Sequence, residues 1–277
     1  MIKCAVIGLG IGNQHALAIL DNKYCELKSI CELDKNKVTG FKLENERQSI
    51  AHSSFNEILA DDEIDLVCIA SYDHDHYEQV IKCLKAGKHV FVEKPMCQTF
   101  EQLKVIKALV KQTNLCLASN LVLRTSNLFL KVKEMIRSGT MGEIYFFEGD
   151  YLYGRINKIT HGWRKDVVDY SVMEGGGIHM IDLMLFLTGQ RPKTVSALGN
   201  KITTRNSAFK YNDFSIANYS FENGLIGKIS SNFGCVHPHQ HVIKIYGTKA
   251  TFIYDDRGAR IYKSRDLKAP EFMRARP

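Results

Sequence analysis

Three short stretches of the sequence combine residue types that could do chemistry. In the first, a glycine loop at 8–12 stands where an apolar run gives way to a helical pattern, and Glu32 ends the next apolar run. Glycines there allow a tight turn and let the backbone approach a pyrophosphate, while a carboxylate at the second strand can accept ribose hydroxyls. The pattern predicts a dinucleotide site, with a purely structural turn as the alternative. The candidate contacts are Gly8, Gly10, Ile11, Gly12, Asn13 and Glu32.

The carboxylate of Glu32 also bears on the choice of cofactor. It repels a 2′-phosphate, which favours NAD over NADP. Lys35 and Lys37 follow closely, so NADP stays open as the alternative.

The second stretch is H-V-F-V-E-K-P, residues 89–95, in which Glu93, Lys94 and Pro95 follow an apolar run. Ligands of open parallel sheets bind beyond the carboxyl ends of the strands, so Lys94 is expected to face the site. The positive charge of an oxidised nicotinamide makes a nearby ammonium easier to deprotonate, and the amine can then help to move a hydroxyl proton. Proline fixes the backbone and is compatible with a cis bond. The alternative is a structural salt bridge between Glu93 and Lys94.

The third stretch is E-G-G-G-I-H-M-I-D, residues 174–182. Ile178–Leu187 is apolar nearly all round, which predicts a buried helix. His179 and Asp182 are its only polar side chains, and their spacing of three places them on one face. Burying an uncompensated polar group costs roughly 2–7 kcal/mol, so each must contact the other, another polar residue or a ligand. A satisfied core histidine is the alternative.

A fourth pattern, H-P-H-Q-H, suggests a metal site, since alternate residues of a strand share a face. The residues are His237, Pro238, His239, Gln240 and His241. Two histidines alone are too few for a closed zinc site, and Pro238 disturbs strand pairing. We therefore expect no metal.

The first 120 residues alternate short apolar runs with amphipathic segments. Such runs are typical of parallel strands covered on both faces, and short connections favour right-handed crossovers. Residues 1–120 are therefore predicted to form an α/β Rossmann domain, a doubly wound parallel sheet. The predicted strands are Lys3–Gly8, Glu26–Glu32, Asp65–Ser71, His89–Glu93 and Leu115–Ser119, with helices at 76–86 and 98–112.

Residues 121–277 consist mainly of strand-like runs separated by turn signals. They predict a C-terminal α+β domain with a large, mostly antiparallel open sheet, whose consecutive strands are joined by tight turns. The predicted strands are Glu143–Tyr153, Thr194–Ile202, Phe214–Phe221, Leu225–Phe233, His241–Tyr246, Thr251–Tyr254 and Arg260–Tyr262, with helices at Ser126–Ser138 and Ile178–Leu187.

The composition of the 277 residues, 45% hydrophobic and 24% charged, is ordinary for a globular chain. The net charge of +7 is scattered, which fits a solvated surface or an anionic cofactor or substrate and argues against a nucleic-acid partner. No apolar stretch approaches the ~18–20 residues of a membrane span, and no leader precedes the first strand. The eight cysteines lack C-x-x-C spacing, which favours free thiols and a cytoplasmic location.

These motifs together resemble one known family. The segments that carry the resemblance are G-L-G-I-G-N-Q-H with Glu32, the run from Asn56 through Pro95, Arg124, Trp163-Arg164, and G-G-G-I-H-M-I-D-L-M-L-F-L-T-G. Within the run, the part from Asp65 through Pro95 is the most specific. They are similar to the glucose–fructose oxidoreductase/inositol dehydrogenase (Gfo/Idh/MocA) family, from residue 2 to about 250. The resemblance implies an NAD(P)-dependent dehydrogenase acting on CH–OH groups of a sugar, inositol or sugar nucleotide. It also implies a homo-oligomer, a dimer or tetramer, formed through the C-terminal sheet.

The resemblance assigns roles to several residues. Lys94 and His179 look like the family's catalytic lysine and histidine, with the substrate hydroxyl expected between them. Ser71, Asp73 and His76 match its cofactor-lining T-P-N-x-x-H stretch, and Glu93 and Lys94 match E-K-P. The substrate-side candidates are Asp182, Trp163, Arg164, Tyr153 and Arg124, together with Tyr151 and Arg155.

The chain departs from the family pattern in four places. The glycine loop is one residue short, Asp73 replaces an asparagine, and Gly175 stands where most members have an aspartate. The chain stops at Pro277 where members usually continue to a last helix, so we expect a truncated or a short chain. Two other functions stay open: a glycoside hydrolase that retains NAD, and a catalytically silent NADH-responsive binding module.

Overall fold

The computed structural model describes residues 1–46, 49–266 and 270–273. The chain divides into two compact units, Met1–Asn120 and Leu121–Pro277. Each unit has its own sheet and its own apolar core.

The first unit contains a six-stranded sheet with the strand order β3-β2-β1-β4-β5-β6. All its strand pairs are parallel, and this is the order of a doubly wound dinucleotide-binding fold. The predicted Rossmann fold is therefore confirmed. The two-residue β3 was missed because so short a strand has no readable pattern. The strands are β1 (Ile2–Ile7), β2 (Cys25–Cys31), β3 (Ala51–His52), β4 (Leu66–Ile69), β5 (His89–Val92) and β6 (Leu117–Ser119).

Helices cover both faces of this sheet, which explains the continuously apolar strands. In β1, Cys4 and Val6 belong to one core cluster, while Ala5 and Ile7 belong to the cluster on the opposite face. Alternate side chains of a strand point to opposite faces, so both sets must be apolar. The helices are α1 (Gly12–Leu20), α2 (Lys35–Glu44), α3 (Phe55–Ala60), α4 (His76–Lys85) and α5 (Phe100–Thr113).

The second unit contains an eight-stranded sheet with the order β14-β13-β12-β11-β7-β10-β9-β8. Its strands are β7 (Ile144–Leu152), β8 (Thr194–Asn200), β9 (Phe214–Ser220), β10 (Ile226–Asn232), β11 (Gln240–Gly247), β12 (Thr251–Asp255), β13 (Gly258–Tyr262) and β14 (Glu271–Phe272). The mostly antiparallel sheet is confirmed.

One detail of the predicted topology is wrong, because β7 and β10 pair side by side in parallel. Parallel neighbours cannot be joined by a tight turn, so the chain leaves the sheet after β7 and returns through β8 and β9. The long connection contains the short helix α7 (Asn157–Thr160), a 3-10 helix (Trp163–Asp166), a π-helical turn (Met173–Gly177) and α8 (Ile178–Thr188).

The two faces of this sheet differ in character. Helices α6 (Asn127–Arg137) and α8 share the core of one face with Phe147, and a Cβ at Gly149 would lie 3.1 Å from the Cβ of Met180 in α8. The opposite face, which we call the open face, carries Lys228 Nζ 2.7 Å from the Glu148 carboxylate and 2.9 Å from that of Asp150. None of the helices in the described residues has the length and apolarity that crossing a membrane would need.

Candidate functional site

Each of the three glycines in the loop of the first unit has a function of its own, although the loop is one residue shorter than the usual pattern. Gly8 has φ +83, and a Cβ there would lie 2.5 Å from the carbonyl oxygen of Ala70. A Cβ at Gly12 would lie 3.0 Å from the Cβ of Ala70, so this glycine lets α1 pack on the sheet. A Cβ at Gly10 would meet nothing within 4 Å, so the loop is open there. Turn, close approach and helix packing are the functions that a dinucleotide loop requires.

The first turn of α1 is uncapped, since its N-cap residue Ile11 makes no side-chain hydrogen bond to it. The N–H of Gln14 donates to the carbonyl oxygen of Ile11 at 2.9 Å, while Gly12 and Asn13, which precede it in the turn, can offer their N–H groups to an anion. Asn13 follows in the same turn and is partly exposed.

Glu32 lies directly after β2 and contacts the glycine loop. Its carboxylate accepts from the backbone N–H of Leu9 at 2.6 Å and from that of Asp34 at 3.1 Å. Burial opposes ionisation, but these bonds and the Lys37 ammonium at 4.0 Å outweigh it, so the pKa of Glu32 lies below its usual value. These features fit a dinucleotide. The glycine loop and the first turn of α1 suit its pyrophosphate, and the ionised carboxylate of Glu32 suits its ribose.

Glu93 is held inside the first unit by two side chains. Its Oε1 accepts from Asn120 Nδ2 at 2.7 Å and lies 2.8 Å from His15 Nε2. Only 8% of Glu93 is exposed, and burial opposes its ionisation, yet the hydrogen bonds from His15 and Asn120 hold its pKa below the usual value. Glu93 is thus ionised, and its hydrogen bonds fix the start of the E-K-P turn. Lys94 follows it in a partly exposed position. The Lys94–Pro95 bond is cis.

The E-K-P turn is also held on its other side. His76 is fully buried, with Nδ1 2.7 Å from the carbonyl oxygen of Pro95 and Nε2 3.3 Å from that of Ser71. The ring therefore bridges two loops through backbone carbonyls. The hydroxyl of Ser71 donates to Gln79 at 2.6 Å, and Asp73 is partly exposed. Cofactor contact by Ser71, Asp73 and His76 stays a prediction.

In the second unit, His179 of α8 lies beside a group of rings that we call the aromatic–imidazole cluster. The ring centroid of Tyr151 lies 6.0 Å from that of His179, 5.1 Å from that of His239 and 5.3 Å from that of His241. The full cluster is Tyr151, Tyr153, His179, Phe233, His239 and His241. Phe233 was not predicted as a site residue from the sequence, and His239 and His241 were considered only as metal ligands. Among the described residues, no three His, Cys, Asp or Glu side chains are grouped as metal ligands.

The imidazole of His241 is perturbed by its burial in this cluster. Its Nε2 is buried and has no hydrogen-bond partner among the described residues. Burial, and secondarily the neighbouring His239, lowers the pKa of His241 to about 4, so its ring is neutral at pH 7.

Asp182 and Arg124 form a bidentate ion pair. Arg124 donates from Nε to Oδ2 at 2.8 Å and from its terminal nitrogen to Oδ1 at 2.5 Å. Only 9% of Asp182 is exposed. Arg124 is therefore the partner that compensates the buried carboxylate on α8. Because Asp182 is occupied by Arg124, its assignment to the substrate stays a prediction.

The glycine run before α8 is required by two tyrosines. A Cβ at Gly175 would lie 2.1 Å from the hydroxyl oxygen of Tyr170, and one at Gly176 would lie 2.3 Å from the ring of Tyr151. An aspartate at 175 would therefore collide with Tyr170. Its absence has a packing cause.

Two arginines border this region without a carboxylate partner among the described residues. The guanidinium of Arg164 stacks on Trp163 at 4.4 Å from the ring centroid, and that of Arg155 lies 5.5 Å from the Tyr153 ring centroid. The buried Nε of Arg164 has no hydrogen-bond partner in the described part of the chain.

The strand order and the arrangement of the glycine loop and Glu32 in the first unit define a dinucleotide-binding protein with a second α+β unit. A sequence profile described as "Oxidoreductase family, NAD-binding Rossmann fold" matches residues 2–121, and one described as "GFO/IDH/MocA C-terminal domain" matches residues 129–253. The chain belongs to the Gfo/Idh/MocA family. The predicted family, enzyme class and cofactor are confirmed.

Known relatives share modest identity over most of the chain. The myo-inositol 2-dehydrogenase of Thermotoga maritima is 26% identical over 265 residues, which are 92% of this chain and 75% of the relative. An uncharacterized oxidoreductase of Schizosaccharomyces pombe is 32% identical over 202 residues, 71% of this chain but only 54% of the relative. The structure of scyllo-inositol dehydrogenase from Lactobacillus casei, with bound NAD(H) and scyllo-inositol, has a TM-score of 0.81 at 21% identity. That match covers 95% of this chain and 82% of the other, and at this identity it shows the fold alone.

Proposed function

We propose that the protein oxidises a secondary alcohol on the ring of a polyol, sugar or sugar nucleotide to a ketone, or catalyses the reverse reduction. The observation that carries this proposal is the position of His179, a titratable side chain beside the tyrosine and imidazole rings. Aromatic faces suit a sugar ring, and an imidazole can exchange the proton of a hydroxyl. The inositol dehydrogenases among the relatives support the same substrate class.

The reaction divides into a hydride and a proton. As the carbonyl forms, the carbinol C–H bond breaks with its electron pair and the O–H bond releases a proton. The nicotinamide, when bound, supplies the hydride acceptor. We assign the proton to Lys94 and His179, since positioned acid–base groups contribute about 10²–10⁴-fold.

Lys94 owes its fixed position to its neighbours. The ionised Glu93 before it is anchored by His15 and Asn120, and the Pro95 carbonyl after it is bound by His76. A fixed backbone on both sides limits the positions that the ammonium can reach, which favours a single productive geometry.

The preferred cofactor in this proposal is NAD. The ionised Glu32 would repel a 2′-phosphate, while Lys37 at 4.0 Å softens that repulsion. Replacing Glu32 by Gln should narrow the difference between the KM values for NAD and NADP, and an unchanged ratio would exclude Glu32 as the selector.

The proposal includes a cytoplasmic homo-oligomer. All eight cysteines are free, which suits a reducing compartment. The open face carries the exposed side chains Leu198, Ile226 and Phe272, which support association through that face as a dimer or tetramer. Replacing Ile226 by Asp should reduce the mass measured by light scattering; an unchanged mass would exclude this face.

Replacing Lys94 by Ala or His179 by Asn tests the catalytic assignment. Each variant should lose most turnover of a panel of inositols, aldoses and sugar nucleotides, followed at the nicotinamide absorbance band, while NADH binding persists. Replacing the exposed Lys107 of α5 by Ala is the matched control and should leave turnover unchanged.

Unimpaired turnover would remove either residue from the mechanism. Substrate consumption without reduced cofactor would favour the hydrolase. NADH binding without consumption of any substrate would favour the silent binding module.

A further inference from the structure

We infer that the substrate carries an anionic group, a carboxylate or a phosphate, and that Arg164 and Arg155 bind it. This inference rests on the proposed function, because it names the class of sugar or polyol on which the enzyme acts.

The surroundings of Arg164 favour the binding of an anion. It lies in the 3-10 helix Trp163–Asp166, and its guanidinium stacks on the Trp163 ring at 4.4 Å from the centroid. Stacking fixes the plane of a guanidinium and leaves its edge N–H groups to donate in a fork that matches carboxylate or phosphate oxygens. The buried Nε has no hydrogen-bond partner among the described residues. An unpaired buried donor on a charged group is costly, so an anionic acceptor there is favoured.

Arg155 supplies a second positive charge. Its guanidinium lies 5.5 Å from the centroid of the Tyr153 ring, a member of the aromatic–imidazole cluster. No Asp or Glu of the described residues pairs with Arg155 or Arg164, whereas Arg124 and Arg260 each bind a carboxylate in bidentate form. The charges of Arg155 and Arg164 are therefore uncompensated.

Both charges act on the same region as His179. Burial raises the pKa of Tyr151 and Tyr153 adds to the rise, while the charges of Arg164 and Arg155 oppose it. The Tyr151 ring in turn lies 6.0 Å from that of His179. The two arginines thus create a positive potential beside His179.

Among the described residues, no carboxylate forms an ion pair with either arginine, so none cancels this potential directly. Asp182, on the same helix as His179, is already bound by Arg124. A neutral ring would leave both arginines without an anionic partner. A carboxylate on the ring would neutralise one of the two positive charges, and a phosphate monoester, with a charge of about −1.5 to −2, would neutralise nearly both.

The chain provides its own reporter for the test. Trp163 is the single tryptophan of the sequence, so intrinsic fluorescence reports from the ring on which Arg164 stacks. Glucuronate, glucose-6-phosphate and glucose are titrated into the full chain without cofactor, and calorimetry measures the same affinities. At least one anion should bind about tenfold more tightly than glucose, and added salt should weaken the anion alone. The stronger of the two anions identifies the group as carboxylate or phosphate.

Single substitutions test whether Arg155 and Arg164 cause the preference for an anion over glucose. Replacing Arg164 by Gln, or the exposed Arg155 by Gln, should reduce the preference for the anion about tenfold. Replacing Lys158 by Gln removes an equally exposed positive charge on α7 and should preserve the preference. Circular dichroism verifies that each variant folds. Replacing Arg164 by Lys retains the positive charge but not the paired N–H donors of a guanidinium, so the preference for the anion over glucose should be intermediate.

Equal affinities for glucose and both anions would overturn the inference. So would an anion preference that persists when Arg155 and Arg164 are both replaced by Gln. These binding measurements need no turnover, so a failed redox proposal would show itself separately, as the absence of NADH formation.

Discussion

His15 Nε2 lies 2.8 Å from Glu93 Oε1, which joins α1 to the residue that precedes Lys94. The pKa of Glu93 lies below its usual value, because the hydrogen bonds of His15 and Asn120 outweigh the effect of burial. An ionised carboxylate only accepts, so Nε2 of His15 carries the donated proton. The imidazole also packs edge-on against Phe91, with 5.3 Å between ring centroids. The helix that follows the glycine loop and the E-K-P turn are therefore joined by a side-chain hydrogen bond.

Replacing His15 by Ala should lower kcat/KM, because Glu93 keeps only Asn120 as a side-chain donor and the Lys94 backbone is less fixed. We expect a loss of about 10–100-fold, mostly in kcat, since misplacement of a catalytic group has effects of that order. Steady-state kinetics measure it, with thermal unfolding as a check on stability. Replacing His15 by Gln retains a donor and should recover part of the loss. Equal kinetics for the Ala and Gln variants would contradict a positioning role.

Replacing Gly175 by Ala should destabilise the protein by about 2–4 kcal/mol, because the new Cβ would lie 2.1 Å from the Tyr170 hydroxyl oxygen in a packed core. Urea unfolding measures the change. Gly40 of α2 is the matched control: a Cβ there meets nothing within 4 Å, so Ala should stabilise by about 0.5–1 kcal/mol. Adding Tyr170→Phe to the Gly175 variant should restore part of the loss. A Gly175 variant as stable as the parent would show that Tyr170 can move aside freely.

The stability of the protein should fall with acidity through His241. Burial, then His239, lowers its pKa from 6.5 to about 4, so between these values the unfolded chain binds a proton that the folded chain does not. The stabilisation is complete above pH 6.5 and is lost as the pH falls towards 4. The separation of the two pKa values corresponds to about 3 kcal/mol of unfolding free energy.

Replacing His241 by Gln should therefore flatten the dependence of the urea midpoint on pH between 4 and 6.5. Replacing the exposed His237 by Gln should leave that dependence intact. If both variants keep the slope of the parent, another group is responsible for it.

The sequence was informative wherever structure depends on local patterns. Continuously apolar runs such as β1 predicted strands covered on both faces, and the apolar run at α8 predicted a buried helix. The glycine loop and the E-K-P turn were recognisable because their residues are adjacent in the chain. The parallel pairing of β7 and β10 was not predictable, since Ile226 pairs with Phe146 across a long excursion that leaves no local signal.

The same limit applies to the candidate site. Arg124 and Asp182 are 58 positions apart, and the sequence contains nothing that pairs them. His239 and His241 were visible as a pattern, but only the fold brings Tyr151 beside them. Only the fold likewise shows that a Cβ at Gly175 would meet the hydroxyl of Tyr170.

The parallel neighbours β7 and β10 have an evolutionary consequence. The segment of residues 153–225 that separates these adjacent strands contains the candidate site residues Arg155, Trp163, Arg164, His179 and Asp182. Mutation, insertion or recombination within that segment can remodel ligand recognition while the central strand register is inherited unchanged. Such an arrangement lets one scaffold diversify towards new metabolites without refolding its sheet.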